Sequence, residues 1–137
     1  MIKIQKEDFI IEKEIEKLKI LYLNVGAVSS FIGYVRNINE NKEVKSINLE
    51  VYKDMAIEKL SKICNYAIKK WSLKDALVIH RYGKLKLNEK IVLVATFAAH
   101  RKDSFESCNY IMDYLKKEAP FWKKEFYNNG SEWLNKN

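Results

Sequence analysis

His80–Arg101, HRYGKLKLNEKIVLVATFAAHR, settles how this chain must be laid out. A strand covering Ala76–Tyr82 runs into it and stops at Gly83. Leu85 and Leu87 then alternate with Lys84 and Lys86, as in a half-buried strand. Asn88–Lys90 turns the chain into Ile91–Ala99, an apolar run that reads as a buried strand in a hairpin with the segment before it. These connections are only a few residues long, whereas a parallel crossover needs a dozen or more. The expected class is therefore α+β, with a mostly antiparallel sheet and flanking helices.

Downstream, His100 and Arg101 sit where the buried strand gives way to a helix. Asp103, with Glu106 three residues on, resembles a capping pair that opens it. Phe105, Cys108, Ile111, Met112 and Leu115 recur at helical spacing, predicting a helix from about Ser104 to Glu118 with these residues on its buried face. Pro120, the only proline, ends it and pushes Ala119 into an extended conformation. The chain must turn there, with Phe121 and Trp122 as apolar anchors and Lys123 and Lys124 returning beside the helix end. Residues after Tyr127, NNGSEWLNKN, read as a turn and a tail in which Trp133 is the one large anchor.

Upstream, Ile2 and Ile4 mark a short first strand. Asp8 is placed to cap a helix over Ile10–Tyr22, with Ile11, Ile15, Leu18 and Tyr22 on its apolar face. Gly26 ends that region. Ala27–Arg36, AVSSFIGYVR, reads as a strand in which Gly33 marks a bulge or a close backbone approach. Asn37–Glu43 is a polar loop. Ile47, Leu49 and Val51 alternate with polar residues in a further strand. Asp54 is then placed to cap a helix lined by Ile57, Leu60, Ile63, Cys64, Ala67, Ile68 and Trp71.

With 137 residues, 47% of them hydrophobic, four glycines and one proline, the chain suits a single domain spanning 1–137 with a tail from 128. Cys64 and Cys108 fall on apolar helix faces without metal-ligand spacing, which fits buried free thiols in a reducing cytoplasm. Met1–Asp8 lacks the pattern of a signal peptide, and Ile91–Ala99 is far too short for a membrane span. The net charge of +7 is concentrated in residues 51–100, which carry ten basic and four acidic groups. That suits a basic surface meeting an acidic partner, without by itself indicating nucleic acid.

The residues able to carry chemistry are cationic. A strand-to-helix junction presents free N–H groups and a positive dipole end, so His100 and Arg101 there suit a phosphate. The plainer alternative is an ordinary ion pair for Arg101 and a packed imidazole. His80-Arg81 is a similar dipeptide without a helix start behind it and reads as structural. Arg36 closes its strand beside the polar loop. If the fold gathers Arg36, His100, Arg101, Lys116 and Lys123, the pocket is strongly cationic, and crowding or burial lowers a lysine's pKa towards that of a useful acid, base or nucleophile. These features point to a protein that binds or transforms a phosphate-bearing small molecule.

SFIGYVRN, HRYGKLKLNEKIVLVATFAAHR and MDYLKKEAPFWKKE, in that order, resemble the large subunit of molybdopterin synthase over nearly the whole chain, Ile2 to Trp133. The resemblance implies an α/β hammerhead-type fold and a cytoplasmic homodimer. Each end of that dimer binds a small sulfur-carrier subunit ending in a Gly-Gly thiocarboxylate, giving a heterotetramer. It implies conversion of cyclic pyranopterin monophosphate to molybdopterin by two sulfur transfers, within molybdenum cofactor biosynthesis. No cofactor, metal, nucleic acid or membrane is implied.

Position by position, Lys116 and Lys123 match the family's catalytic lysines, with roles in proton transfer and electrostatic stabilisation. Arg36, His100 and Arg101 match its substrate-anion groups, with Tyr34, Val35, Lys124 and Glu125 in the pocket wall. The sulfur comes from the carrier, so neither cysteine is needed. This chain departs from the pattern at Ala98, where the family often has serine, and in its tail, where Lys136 stands in place of an arginine that reaches a neighbouring subunit. Two other readings are a non-catalytic basic module binding nucleic acid, with Phe31, Tyr34, Phe121 and Trp122 as stacking surfaces, and an inactive scaffold that docks a carrier tail.

Overall fold

The structure, a computed structural model, describes residues 1–39, 42–127 and 130–134. In chain order the elements are β1 (Ile2–Gln5), α1 (Ile11–Lys19), β2 (Ala27–Tyr34), β3 (Ile38–Asn39), β4 (Lys42–Val51) and α2 (Lys53–Trp71). There follow β5 (Asp75–Arg81), β6 (Gly83–Lys86), β7 (Lys90–Ala98), α3 (Arg101–Glu118), β8 (Phe121–Tyr127) and β9 (Gly130–Leu134). The first sheet has the order β1-β5-β7-β2, and only β1 and β5 are parallel. The second is antiparallel: β4 pairs with β8 along one side and with β3 and β6 along the other, and β9 extends β8. The class is α+β and mostly antiparallel, as expected.

The apolar run of β7 is explained by helices on both faces of the first sheet. Alternate residues Ala76 and Val78 of β5, with Val92, Val94 and Ala98 of β7, pack beneath α2 and α3. Their neighbours Leu77, Ile79, Leu93, Ala95 and Phe97 pack on the α1 side. A smaller core of Val35, Val44, Ile47, Leu49 and Leu85 belongs to the second sheet. The two thiols behave as read from the sequence: Cys64 and Cys108 are buried and free, and burial pushes each up to about 11.

Several local expectations are corrected. None of the three helices among the described residues uses a side-chain cap: Ile10, Tyr52 and His100 occupy the N-cap positions. Asp54 and Asp103 lie inside the first turn, where they act through the helix dipole. Asp8 instead accepts from the Phe9 N–H and pairs with Lys90, and the backbone bond foremost holds its carboxyl below the usual range. β6 is not one arm of a hairpin with β7. Gly83, at φ 86°, lets the chain leave the first sheet after β5, and β6 joins β4 in the second. The polar loop after Arg36 is partly strand, Ile38–Asn39 pairing with Lys42 and Glu43, while Glu40 and Asn41 lie outside the described residues. The segment read as a turn and a tail is also strand, Gly130–Leu134 against β8. Its Asn128, Asn129 and Lys136 lie outside the described residues.

Gly33 marks a bulge, as its position suggested, where the β2–β7 register shifts. Gly26 has a stricter role, because a Cβ there would lie 2.2 Å from the Ala99 carbonyl oxygen. Gly26→Ala is expected to destabilise the fold by about 1–3 kcal/mol, the usual range for forced overpacking. Denaturant unfolding of the two proteins checks this.

Candidate active site

Lys116 and Lys123 reach one cavity from two elements. Pro120 separates them: α3 ends at Glu118, Ala119 is extended at φ −71° and ψ 139°, and β8 begins at Phe121. Lys116 is in the last turn of α3. Lys123 is two residues past Phe121 and so lies on the same face of β8. With Phe31, Leu49, His80, Ile91 and Phe121 they line a cavity of about 210 Å³. Lys123 and Ile91 also wall an adjoining depression of about 30 Å³, together with Tyr34, Val35, Arg36, Ile47 and Glu125. The two hollows share Lys123 and Ile91, the larger is mostly apolar, and between them they hold three cations, Arg36, Lys116 and Lys123.

Alternation along β8 orders the polar groups. Phe121, Lys123, Glu125 and Tyr127 share a face. Lys123 Nζ is 3.7 Å from Glu125 Oε2, and the Tyr127 hydroxyl donates to Glu125 Oε1 at 2.6 Å. Glu125 is buried, so these contacts fix it as the counter-charge of Lys123. Lys124, expected in the pocket wall, is on the opposite face, its amine 5.3 Å from the Trp133 ring centroid and 5.7 Å from that of Phe126. Period-two geometry removes it from the site. Phe121 is no stacking platform, since it is buried and its ring lies against His80 at 3.7 Å. Trp122 packs edge-on against Tyr52 instead.

His100 and Arg101 do form the strand-to-helix junction anticipated for them, and both are exposed. The junction is held by hydroxyls. Ser104 donates to the Arg101 carbonyl, accepts from Ser29 at 2.8 Å, and offers its own carbonyl to Thr96 at 2.8 Å. Yet this couple does not join the lysines within one copy. Arg101 opens α3 and Lys116 is fifteen residues on, so at 1.5 Å per residue they stand about 22 Å apart along the axis. Of the five cations that would make one strongly cationic pocket, a single copy brings together three, Arg36, Lys116 and Lys123. At Ala98 no hydroxyl is available, and the side chain is fully buried.

Arg81 is structural, as read from its context: Nε donates to the Lys6 carbonyl and Nη1 to the Lys90 carbonyl, each at 3.0 Å. His80, which reads as structural from its sequence context, lines the lysine cavity. The available signal was its position two residues beyond Val78 in β5, which puts it on the helix-covered face.

A sequence model of the MoaE protein family matches residues 4–118. The molybdopterin synthase catalytic subunit of Ralstonia nicotianae is 47% identical over 133 residues, covering 97% of this chain and 76% of the relative. The crystal structure of molybdopterin synthase from Staphylococcus aureus superposes with a TM-score of 0.90 at 31% identity, covering 97% of this chain and 96% of that one. The same fold recurs at TM-score 0.81 and 20% identity in a complex of subunits 1 and 2 of molybdopterin-converting factor from Helicobacter pylori, over 98% of this chain and 90% of that one. On the family match and the extent of these likenesses, the chain belongs to the MoaE family.

Proposed function

We propose that this chain is the catalytic subunit of a molybdopterin synthase, working in the cytoplasm. It takes one sulfur from the C-terminal thiocarboxylate of each of two small Gly-Gly carriers in turn, leaving each carrier as the carboxylate, and the two sulfurs delivered to cyclic pyranopterin monophosphate form the dithiolene. The observation that carries this reading is the meeting of Lys116 and Lys123 in one apolar-walled cavity beside Arg36. A largely apolar cavity of about 210 Å³ suits a Gly-Gly tail, which has no side chains to clash. Arg36 suits the phosphate, because a guanidinium pairs with it bidentately. Each transfer moves negative charge between sulfur and oxygen, and ammonium groups stabilise such charge strongly once the carrier tail has displaced water from the cavity. Lys116 and Lys123 supply those groups and exchange protons with the leaving and attacking atoms. The second-subunit partner is supported by the Helicobacter pylori relative, which is itself described as a two-subunit complex.

The phosphate couple enters from a second copy in this reading. β2 is an edge strand, and a groove of about 360 Å³ runs between it and α3, lined by Phe31, Phe105, Cys108 and Met112. Phe105, expected on the buried face, is 62% exposed, and Phe31 is 43% exposed. A homodimer that covers this groove with its two α3 helices antiparallel brings His100 and Arg101 of one copy towards Lys116 of the other. Two carriers on that dimer make a heterotetramer.

One reconstitution tests both statements. The chain, a thiocarboxylated Gly-Gly carrier and the cyclic precursor are mixed and assayed for dithiolene, which is expected from the wild type. Lys116→Ala and Arg101→Ala are each expected to be nearly inactive. Unfolded, mixed and refolded together, they should recover about a quarter of wild-type activity, because half the two-fold dimers are mixed and each mixed dimer holds one intact pocket. No dithiolene from the wild type refutes the enzyme reading. No recovery on mixing refutes the shared pocket.

A further inference from the structure

His80 has two ring nitrogens in different situations. Register places it opposite Ile4 and Val92, and stacking on Phe121, with 19° between the planes, fixes its ring. It is 5% exposed and forms part of the lysine cavity wall. Nδ1 is 2.8 Å from the Arg81 carbonyl oxygen. A carbonyl can only accept, so Nδ1 carries the proton and Nε2 keeps a free lone pair. No group among the described residues bonds Nε2. Among the described residues no sealed side-chain nitrogen or oxygen lacks a partner, so Nε2 retains an opening, and the cavity is where His80 meets open space.

Across the same cavity is an amine in the complementary condition. Lys123 is engaged by Glu125, but Lys116 makes no hydrogen bond or ion pair among the described residues. Among the described residues, one wall thus holds an acceptor without a donor, and another holds an ammonium with three donors and no acceptor.

We propose that His80 is a positioning residue for the sulfur-transfer reaction, its Nε2 accepting a hydrogen bond from the Lys116 ammonium directly or through one water. The inference rests on the function proposed above and assigns a role in that same site. Burial first of all lowers the imidazole from 6.5 to about 4, so it stays neutral and remains an acceptor at physiological pH. A neutral acceptor orients the ammonium without adding a competing positive charge. The Phe121 stack and the Arg81 bond supply the rigid backing that a positioning group requires.

Two measurements test this. The chain has only two histidines, so long-range proton–nitrogen spectra of the imidazoles can be assigned directly. His80 should show a protonated Nδ1 and a bare Nε2, and Lys116→Ala should move the Nε2 resonance while leaving Nδ1 in place. A protonated Nε2, or one indifferent to Lys116→Ala, overturns the proposal. In turnover, His80→Gln, which returns an oxygen near the place of Nε2, should keep kcat within about threefold of wild type. His80→Asn, which keeps only the donor to Arg81, should lose about 10- to 100-fold in kcat with KM little changed. The reverse order of the two variants would make His80 a purely structural residue and overturn the proposal. If the wild type itself made no dithiolene, the functional reading would fall, while the imidazole spectra would still judge the contact.

Discussion

Lys116→Ala should abolish dithiolene formation, a loss of about a hundred- to ten-thousand-fold as expected for removal of a positioned acid or base. The fold should survive, because the side chain is exposed and makes no bond among the described residues. The loss should appear in kcat with carrier binding largely retained, since docking of a protein partner is spread over many contacts. Lys123→Ala should be milder and should change which intermediate accumulates. Removing that amine leaves Glu125 with its Tyr127 bond but without the ammonium beside it. Trapping the half-sulfurated species checks the difference. Wild-type turnover by Lys116→Ala would remove the mechanism.

The second large effect is on stability. Acidification from pH 7 to pH 4 should weaken the fold by on the order of 3 kcal/mol through His80 alone, at 1.36 kcal/mol per pKa unit. The folded value is depressed from 6.5 to about 4 because burial disfavours the charged ring. Above 6.5 the imidazole is neutral in both states and nothing is lost. Between 6.5 and about 4 the unfolded chain takes up a proton that the folded one refuses, so stability falls as pH falls. Asp8 and Glu14, also held below their ordinary values of 3.8 and 4.5, add their losses only as those carboxylates protonate. Chemical denaturation across pH 4–7 measures the slope. His80→Phe, which preserves a stacked ring but cannot titrate, should flatten it, and an unchanged slope would assign the acid sensitivity elsewhere.

Legibility in the sequence followed the range of the interactions. Apolar spacing in α2, alternation around Ile47 and Leu49, and Pro120 as a stop are near-neighbour effects, and each reappears in the structure. The capping expectations failed although they too are local. Asp54 and Asp103 fall one and two residues past the first residues of helices whose starts are set by packing against the sheets. FWKKEFY carries the charge of a surface segment and gave no clear strand signal. It becomes a strand because β4 and β9 satisfy its backbone on both sides. That pairing puts Lys123 in the site and Lys124 outside it.

The sequence by itself determined the class of fold, the family resemblance carried by its dipeptides, and the candidacy of Arg36, Lys116 and Lys123. Short connections forbid parallel crossovers, and side-chain type limits which chemistry is possible. The tertiary structure alone decided which cations meet. β6 crosses to the second sheet, β8 turns one lysine inwards, His80 backs the cavity, and the length of α3 carries His100 and Arg101 to its far end. Those outcomes depend on hydrogen bonds and packing between residues far apart in the chain, which local periodicity does not encode.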